Sequence, residues 1–193
     1  MSSLVLSGDT SGTVTLSVPA VAGSNTLTIQ AGTGTNSMNT LATAVASTSG
    51  TSIDFTSIPA WVKRITVMYQ GISTNGTSNY QVQIGSGSFV TSGYLGTSSI
   101  VASASASSTN ISAGFIIFTG GNAAAISHGM TVLTTLGSNV WVANGNLGRS
   151  DGSINYFIGG SLALGGALDR IRITTVNGTD TFDAGSVNIL YEG

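Results

Sequence analysis

The sequence predicts an all-β chain: an antiparallel β-sandwich, jelly-roll-like, preceded by an extended N-terminal segment. Three observations carry this. Two proline and 27 glycine residues argue against long helices. Apolar side chains recur with period two, the mark of a half-buried strand. Turn-forming dipeptides separate these runs at short spacing, as in sandwiches and barrels.

The strand runs are explicit. Between Lys63 and Tyr69, Ile65, Val67 and Tyr69 alternate with Arg64, Thr66 and Met68. Tyr80, Val82 and Ile84 alternate with Gln81 and Gln83. Ile171 and Ile173 alternate with Arg170, Arg172 and Thr174. Val187, Ile189 and Tyr191 alternate with Asn188, Leu190 and Glu192. Val, Ile, Thr and aromatic residues suit such a pleated surface. Phe115-Ile116-Ile117-Phe118 is continuously apolar and reads as a strand buried on both faces. Ile53–Thr56 and Val187–Tyr191 also read as strands, and the two are expected to pair. Asn75-Gly76, Asn144-Gly145, Asp151-Gly152 and Asn177-Gly178 are candidates for type I′ hairpin turns, where both central residues take positive φ.

The chain divides into three parts. Residues 1–35 contain short strand-like pieces, Leu4-Val5-Leu6, Val14-Thr15-Leu16 and Leu27-Thr28-Ile29, with little apolar mass. Such a segment is expected to pair with another chain or lie on another surface. Residues 36–50 read as a linker, or as one or two helical turns through Ala42, Ala44, Val45 and Ala46. Residues 51–193 form the sandwich. Within them, Ser98 to Asn110 is a Ser/Ala-rich run, a long loop or an extended strand at a subunit contact.

Charge narrows the function. Only 6% of residues are charged, against about 25% in ordinary domains. An exposed monomer normally carries more charge for solubility. The deficit points to a surface covered by identical subunits or a larger particle; the alternative is a neutral, hydroxyl-rich surface that is simply soluble. The formal net charge is −2. Lys63-Arg64 and Arg170/Arg172 are the only basic clusters, too few for the several phosphate contacts of a nucleic-acid binder. No apolar stretch approaches the roughly 20 residues of a membrane helix. The N-terminus has neither the basic nor the apolar region of a signal peptide, so synthesis in the cytoplasm is expected. Cysteine is absent, which excludes disulfides, zinc-thiolate sites and cysteine nucleophiles.

Two stretches resemble recurrent modules of bacteriophage and prophage virion proteins. The first is Val5-Leu6-Ser7-Gly8-Asp9-Thr10-Ser11-Gly12, with Val18-Pro19-Ala20-Val21-Ala22-Gly23-Ser24-Asn25-Thr26-Leu27-Thr28. It is similar to an N-terminal segment of tail-fibre proteins. The second is marked by residues 53–59, 62–68 and 73–79, then by Trp141-Val142-Ala143, Leu147-Gly148-Arg149, residues 169–175 and residues 177–186. Together they span nearly the whole chain. The resemblance implies a virion tail-fibre or adhesin subunit, a homotrimer that contacts other virion proteins. It transfers no catalytic residues. The alternative is a capsid-decoration or head-fibre protein that reinforces the shell. In the fibre reading the N-terminal segment fastens the subunit to the particle through Leu4, Val5, Leu6, Val14 and Leu16. The sandwich then meets the host surface, a glycan being one candidate. The expected contacts are the exposed turn residues Asn144, Asn146, Arg149 and Asp151, because loops carry binding on rigid β scaffolds.

No catalytic, cofactor or metal site is expected. The one histidine, His128, cannot supply the several ligands a metal takes, and no Gly-x-Ser-x-Gly elbow accompanies it. A glycan hydrolase needs two carboxylates at a set separation. The candidates Asp54, Asp151, Asp169, Asp180, Asp183 and Glu192 are better read as partners of Arg64, Arg149, Arg170 and Arg172. Asp180 to Asp183 departs from the EF-hand pattern and reads as a turn. Trp61 and Trp141 are read as core residues.

Overall fold

The computed structural model describes Ser3–Ser7, Thr13–Ser17 and residues 39–117, 121–123 and 125–193. It forms two compact units, Met1–Asn36 and Ser37–Gly193. In the first, β1 (Ser3–Ser7) and β2 (Thr13–Ser17) make an antiparallel pair with Leu4 opposite Leu16, Val5 opposite Thr15 and Leu6 opposite Val14. The five attachment candidates therefore lie on two strands that pair with each other. The third strand-like piece, Leu27-Thr28-Ile29, lies outside the described residues.

The second unit is all-β, with no helix among the described residues. Its strands are β3 (Asn39–Leu41), β4 (Val45–Ala46), β5 (Ser52–Thr56), β6 (Arg64–Thr74), β7 (Tyr80–Ser86), β8 (Ser88–Phe89) and β9 (Leu95–Ala102). Then come β10 (Ser105–Asn110), β11 (Phe115–Ile117), β12 (Ser127–Gly137), β13 (Val140–Arg149), β14 (Ile154–Ala163), β15 (Arg170–Thr175) and β16 (Phe182–Glu192). One sheet has nine strands in the order β10-β9-β14-β13-β12-β6-β16-β3, with β4 also on β16. The other has five, in the order β11-β7-β15-β5, with β8 on β7. All pairings are antiparallel.

The two sheets form a β-sandwich, and the period-two residues fill it. Ile65, Val67 and Tyr69 of β6, Leu133 of β12, Leu147 of β13 and Ile189 of β16 point inward from the larger sheet. Ile53, Val82, Ile84, Ile171 and Ile173 meet them from the smaller one. Burying such aliphatic side chains contributes about 1.5–3 kcal/mol each. Two buried phenols keep hydrogen-bond partners. Tyr80 donates to the Ala125 carbonyl at 3.2 Å. Tyr94 packs edge-on against Phe115 at 4.9 Å, and its hydroxyl accepts from the Ile84 amide at 2.8 Å. Burial pushes the Tyr94 phenol up to about 12. The continuous apolar run does form a fully buried strand, since Phe115, Ile116 and Ile117 are all buried. Phe118 lies outside the described residues.

Several expectations are corrected. Residues 39–46 are neither linker nor helix: β3 and β4 pair with β16 along one edge of the large sheet. Backbone hydrogen bonding to an open edge outweighs the helical propensity of a few alanines. Ile53–Thr56 does not pair with Val187–Tyr191. It pairs with β15, in the opposite sheet, while β16 takes β6 and β3. Of the two readings of the Ser/Ala run, the loop is excluded and the extended strand holds: β9 and β10 form a hairpin there.

The turn assignments divide. Asp151-Gly152 does join paired strands, β13 and β14, but neither residue has positive φ, so the turn is not type I′. Asn144-Gly145 is no turn at all, and lies in the middle of β13. Among the described residues, consecutive positive φ angles occur at Gly137, Ser138 and Asn139, at 98°, 48° and 61°, between β12 and β13. Asn75-Gly76 and Asn177-Gly178 each carry the chain from one sheet to the other. Side chains tie these two crossings together. Asp180 accepts from the Ser78 amide at 2.9 Å and from Asn177 Nδ2 at 2.6 Å. Asn75 Oδ1 accepts from the Thr181 amide at 2.9 Å. A Cβ at position 76 would collide with the Asp180 carboxylate, so glycine is required for this approach.

Two outcomes are expected. Deleting residues 1–36 leaves a chain with the same far-UV β spectrum and one cooperative thermal transition; an unfolded fragment contradicts the two-unit division. Asp180→Ala removes an acceptor from both crossings and lowers stability by about 1–2 kcal/mol in urea unfolding.

Candidate functional site

The four predicted receptor residues do not form one loop. Asn144 and Asn146 stand in mid-strand on β13, exposed on the outer face of the nine-stranded sheet. Side chains alternate along a strand, so Ala143, Gly145 and Leu147 face the core while these amides face out. Arg149 ends the strand, and Asp151 lies in the hairpin that follows.

Arg149 and Asp151 make a local clamp. Arg149 Nε donates to Asp151 Oδ1 at 2.9 Å, and Nη2 reaches Oδ2. The same Oδ1 accepts from the Ile126 amide at 3.1 Å. The Arg149 side chain is only 7% exposed, so it serves the hairpin more than any ligand. Its hydrogen bonds hold the Asp151 carboxyl down at about 2. Tyr156 and Ser127 have buried hydroxyls without a hydrogen-bond partner among the described residues. Burial raises the Tyr156 phenol above its ordinary value, while the nearby Arg149 charge pulls it back.

The other arginines are also engaged. Arg172 is bidentate to Asp54, at 2.8 and 2.7 Å, across the β15–β5 ladder. Arg170 is bidentate to Asp169, at 2.7 and 3.2 Å. Asp169 also accepts from the Gly87 amide. Arg172 lies 4.1 Å from the centre of the Phe89 ring, a cation–π contact. Arg64 meets Glu192 at 3.6 Å. The structural reading of these charges therefore holds at all four arginines.

His128 and Ser150 form the one arrangement among the described residues that resembles a nucleophile and its base. His128 Nε2 lies 3.1 Å from Ser150 Oγ. The other ring nitrogen, Nδ1, accepts from the Gly71 amide at 3.1 Å. A neutral imidazole that accepts at Nδ1 carries its proton on Nε2. The ring thus presents a proton to the serine, whereas a general base must present a lone pair. The pair is wired as a strand clamp.

Carboxylate chemistry fares no better. A glycosidase acid needs a raised pKa. Hydrogen bonds from Arg149 and Arg170 lower Asp151 and Asp169 instead. Asp180 is committed to the sheet crossings, and no group of three or more His, Asp or Glu able to hold a metal occurs among the described residues. Two clefts among the described residues bear on this chemistry. One, of about 330 Å³, lies at the β12–β13 turn beside Lys63, Leu136 and Trp141. The other, of about 320 Å³, lies on the small sheet beside Gln81, Gln83 and Arg172. Neither is lined by a carboxylate. Trp141 is buried in the core as expected; Trp61 is half-buried against the core, its ring centre 5.8 Å from that of Tyr191 and tilted by 50°.

The surface around Asn144 and Asn146 carries apolar residues that no sequence motif singled out. Met130 on β12 and Phe157 on β14 are 50% and 42% exposed on the same outer face. The available signal was apolar residues in both registers of a strand: Met130 and Val132 alternate with Thr131 and Leu133, so apolar side chains fall on both faces. No protein-family model, curated protein or solved structure matches the chain.

The Arg149–Asp151 clamp has a pH signature. The native Asp151 carboxyl titrates near 2, below its ordinary 3.8. Its stabilising effect is complete well above that ordinary value and disappears as pH falls through about 2. Asp151→Asn should therefore melt below the wild type at about pH 5, and the gap should close near about pH 2 in thermal scans.

Proposed function

We propose that this chain is a non-enzymatic structural subunit of a bacteriophage particle, a tail-fibre or adhesin protein. Its N-terminal unit fastens it to other virion proteins, and its sandwich unit faces outward as part of a homotrimer. The observation that carries this reading is the disposition of charge. All four arginines are committed to carboxylate partners within the fold. A broad sheet face is left neutral. That suits a subunit meant to be stacked and covered, and it leaves no acid–base pair in either cleft. The sequence resemblance to phage tail-fibre modules supports the same reading. The two-unit division suits an attachment part and a display part.

Asn144 and Asn146 keep a part in this reading as exposed amides on the sheet face, where they can hydrogen-bond a glycan or a protein. The Arg149–Asp151 hairpin positions the end of that face. The broad neutral sheet also suits a capsid-decoration protein that reinforces the shell.

Gold-labelled antibodies against the chain, applied to purified phage particles, test the proposal. Label on the tail with specific adsorption of the full chain to host cells is the expected result. Label confined to the head assigns the shell-reinforcing role. Particles that carry no label refute both.

A further inference from the structure

The outer face of the nine-stranded sheet is apolar at its centre, and the ladder registers show what it offers. One row across the sheet reads Met68, Met130, Asn146, Phe157, on β6, β12, β13 and β14 in turn. The next row toward the β12–β13 turn reads Val132, Asn144, Gly159. Leu95 and Val101 of β9, both exposed, extend the apolar surface sideways. Sheet faces turned to water usually alternate hydrophobic-in with polar-out. This one places a half-exposed methionine and phenylalanine in its middle.

We propose that this face packs against the same face of another copy of the chain. The proposal rests on the reading of the chain as an oligomeric particle subunit, and it names a surface. A same-face contact is two-fold, so it joins copies in pairs and is separate from the contacts that close a trimer. Three features of the face select a second copy over a different partner. The first is charge. Across the six strands from β9 to β16, the charged residues off the core-facing rows are Arg64 and Glu192, which neutralise each other at one corner, and Asp183, exposed at the bulged start of β16 and away from the Met130–Phe157 row. A charged partner gains nothing here, while an identical neutral face meets no like-charge repulsion.

The second feature is hydrogen bonding. The polar groups at the centre are the amides of Asn144 and Asn146. An amide both donates and accepts, so each can pair with its own copy across a symmetry axis. Lysine or glutamate cannot do this. The third feature is shape. Phe157 and Met130 stand out from the face, whereas a Cβ built on Gly159 would meet nothing within 4 Å. Protrusions beside a position that carries no side chain leave room for one face to key into another.

The size is adequate. Six strands at about 4.8 Å and four outward rows at about 6.8 Å give a footprint of roughly 800 Å². Specific interfaces bury about 800 Å² on each partner. Contacts between identical faces are also the usual way soluble chains close into oligomers.

Native mass spectrometry and analytical ultracentrifugation of the full chain provide the test, with a double variant, Met130→Lys with Phe157→Lys. The wild type should be an even-numbered multimer at micromolar concentration. The double variant should fall to half that mass, with unchanged far-UV spectrum and melting temperature. Thr56→Lys, on the smaller sheet, should leave the wild-type mass intact. Because the chain has no cysteine, Asn146→Cys gives a second readout that retains the face. Mild oxidation should link two copies through that single thiol, and reduction should separate them.

A monomeric or odd-numbered wild type overturns the proposal and hands the face to a different virion protein. So does a multimer that survives the double substitution and gives no cross-link. Particle labelling is independent of both results. A labelled particle with an unpaired chain refutes the self-contact alone, and a self-pairing chain that labels no particle refutes the particle role alone.

Discussion

The structure depends on the meeting of two sheets over a shared apolar layer. Ile65, Val67, Leu133 and Ile189 from one side and Val82, Ile84, Ile171 and Ile173 from the other are all but inaccessible to water. With five basic and seven acidic residues in 193, the fold has few ionic contacts to draw on. Stability comes from burial and from the backbone ladders that bring those side chains together. The polar residues that matter are placed where the chain crosses between the sheets. Asn75, Ser78, Asn177 and Asp180 fasten one crossing to the other and so hold the two halves of the sandwich at one end.

The same scarcity explains how the charged groups are used. Arg172 and Asp54 bridge adjacent strands; Arg149 and Asp151 close a hairpin; Arg170 and Asp169 anchor the turn at Gly87. Each pair is formed within one copy of the chain. Exposed ion pairs are worth little individually, and their value here lies in fixing geometry. The contrast with the neutral outer sheet follows directly, since few charges remain to be placed there.

Much of the fold was legible in the residues. Period-two alternation located the strands at Ile65, Val82, Ile171 and Ile189, because burial of one face imposes that period. Which strand pairs with which was not legible. Ile53–Phe55 and Val187–Ile189 have similar patterns, and only tertiary packing sends the first to the small sheet and the second to the large one. Asn144-Gly145 illustrates a different limit. The dipeptide suits a tight turn, yet Gly145 lies inside the sandwich where a Cβ would press on Ile158 and Thr131. Its glycine is selected by space and not by φ. The exposed apolar row escaped notice because a strand with apolar residues on both faces looks, in one dimension, like a strand buried on both faces. Phe115–Ile117 is the true case of the latter.

The internally paired arginines have a consequence for how this molecule meets others. A protein with separated, unpaired charge projects a field that draws partners in and weakens as salt is added. Here each arginine is matched by a carboxylate within a few ångströms, and the formal net charge of −2 leaves only a weak field beyond the surface. Encounters with neighbouring molecules are then governed by diffusion and fit, at rates nearly indifferent to ionic strength. A chain of this kind would come together in dilute or saline surroundings with much the same speed.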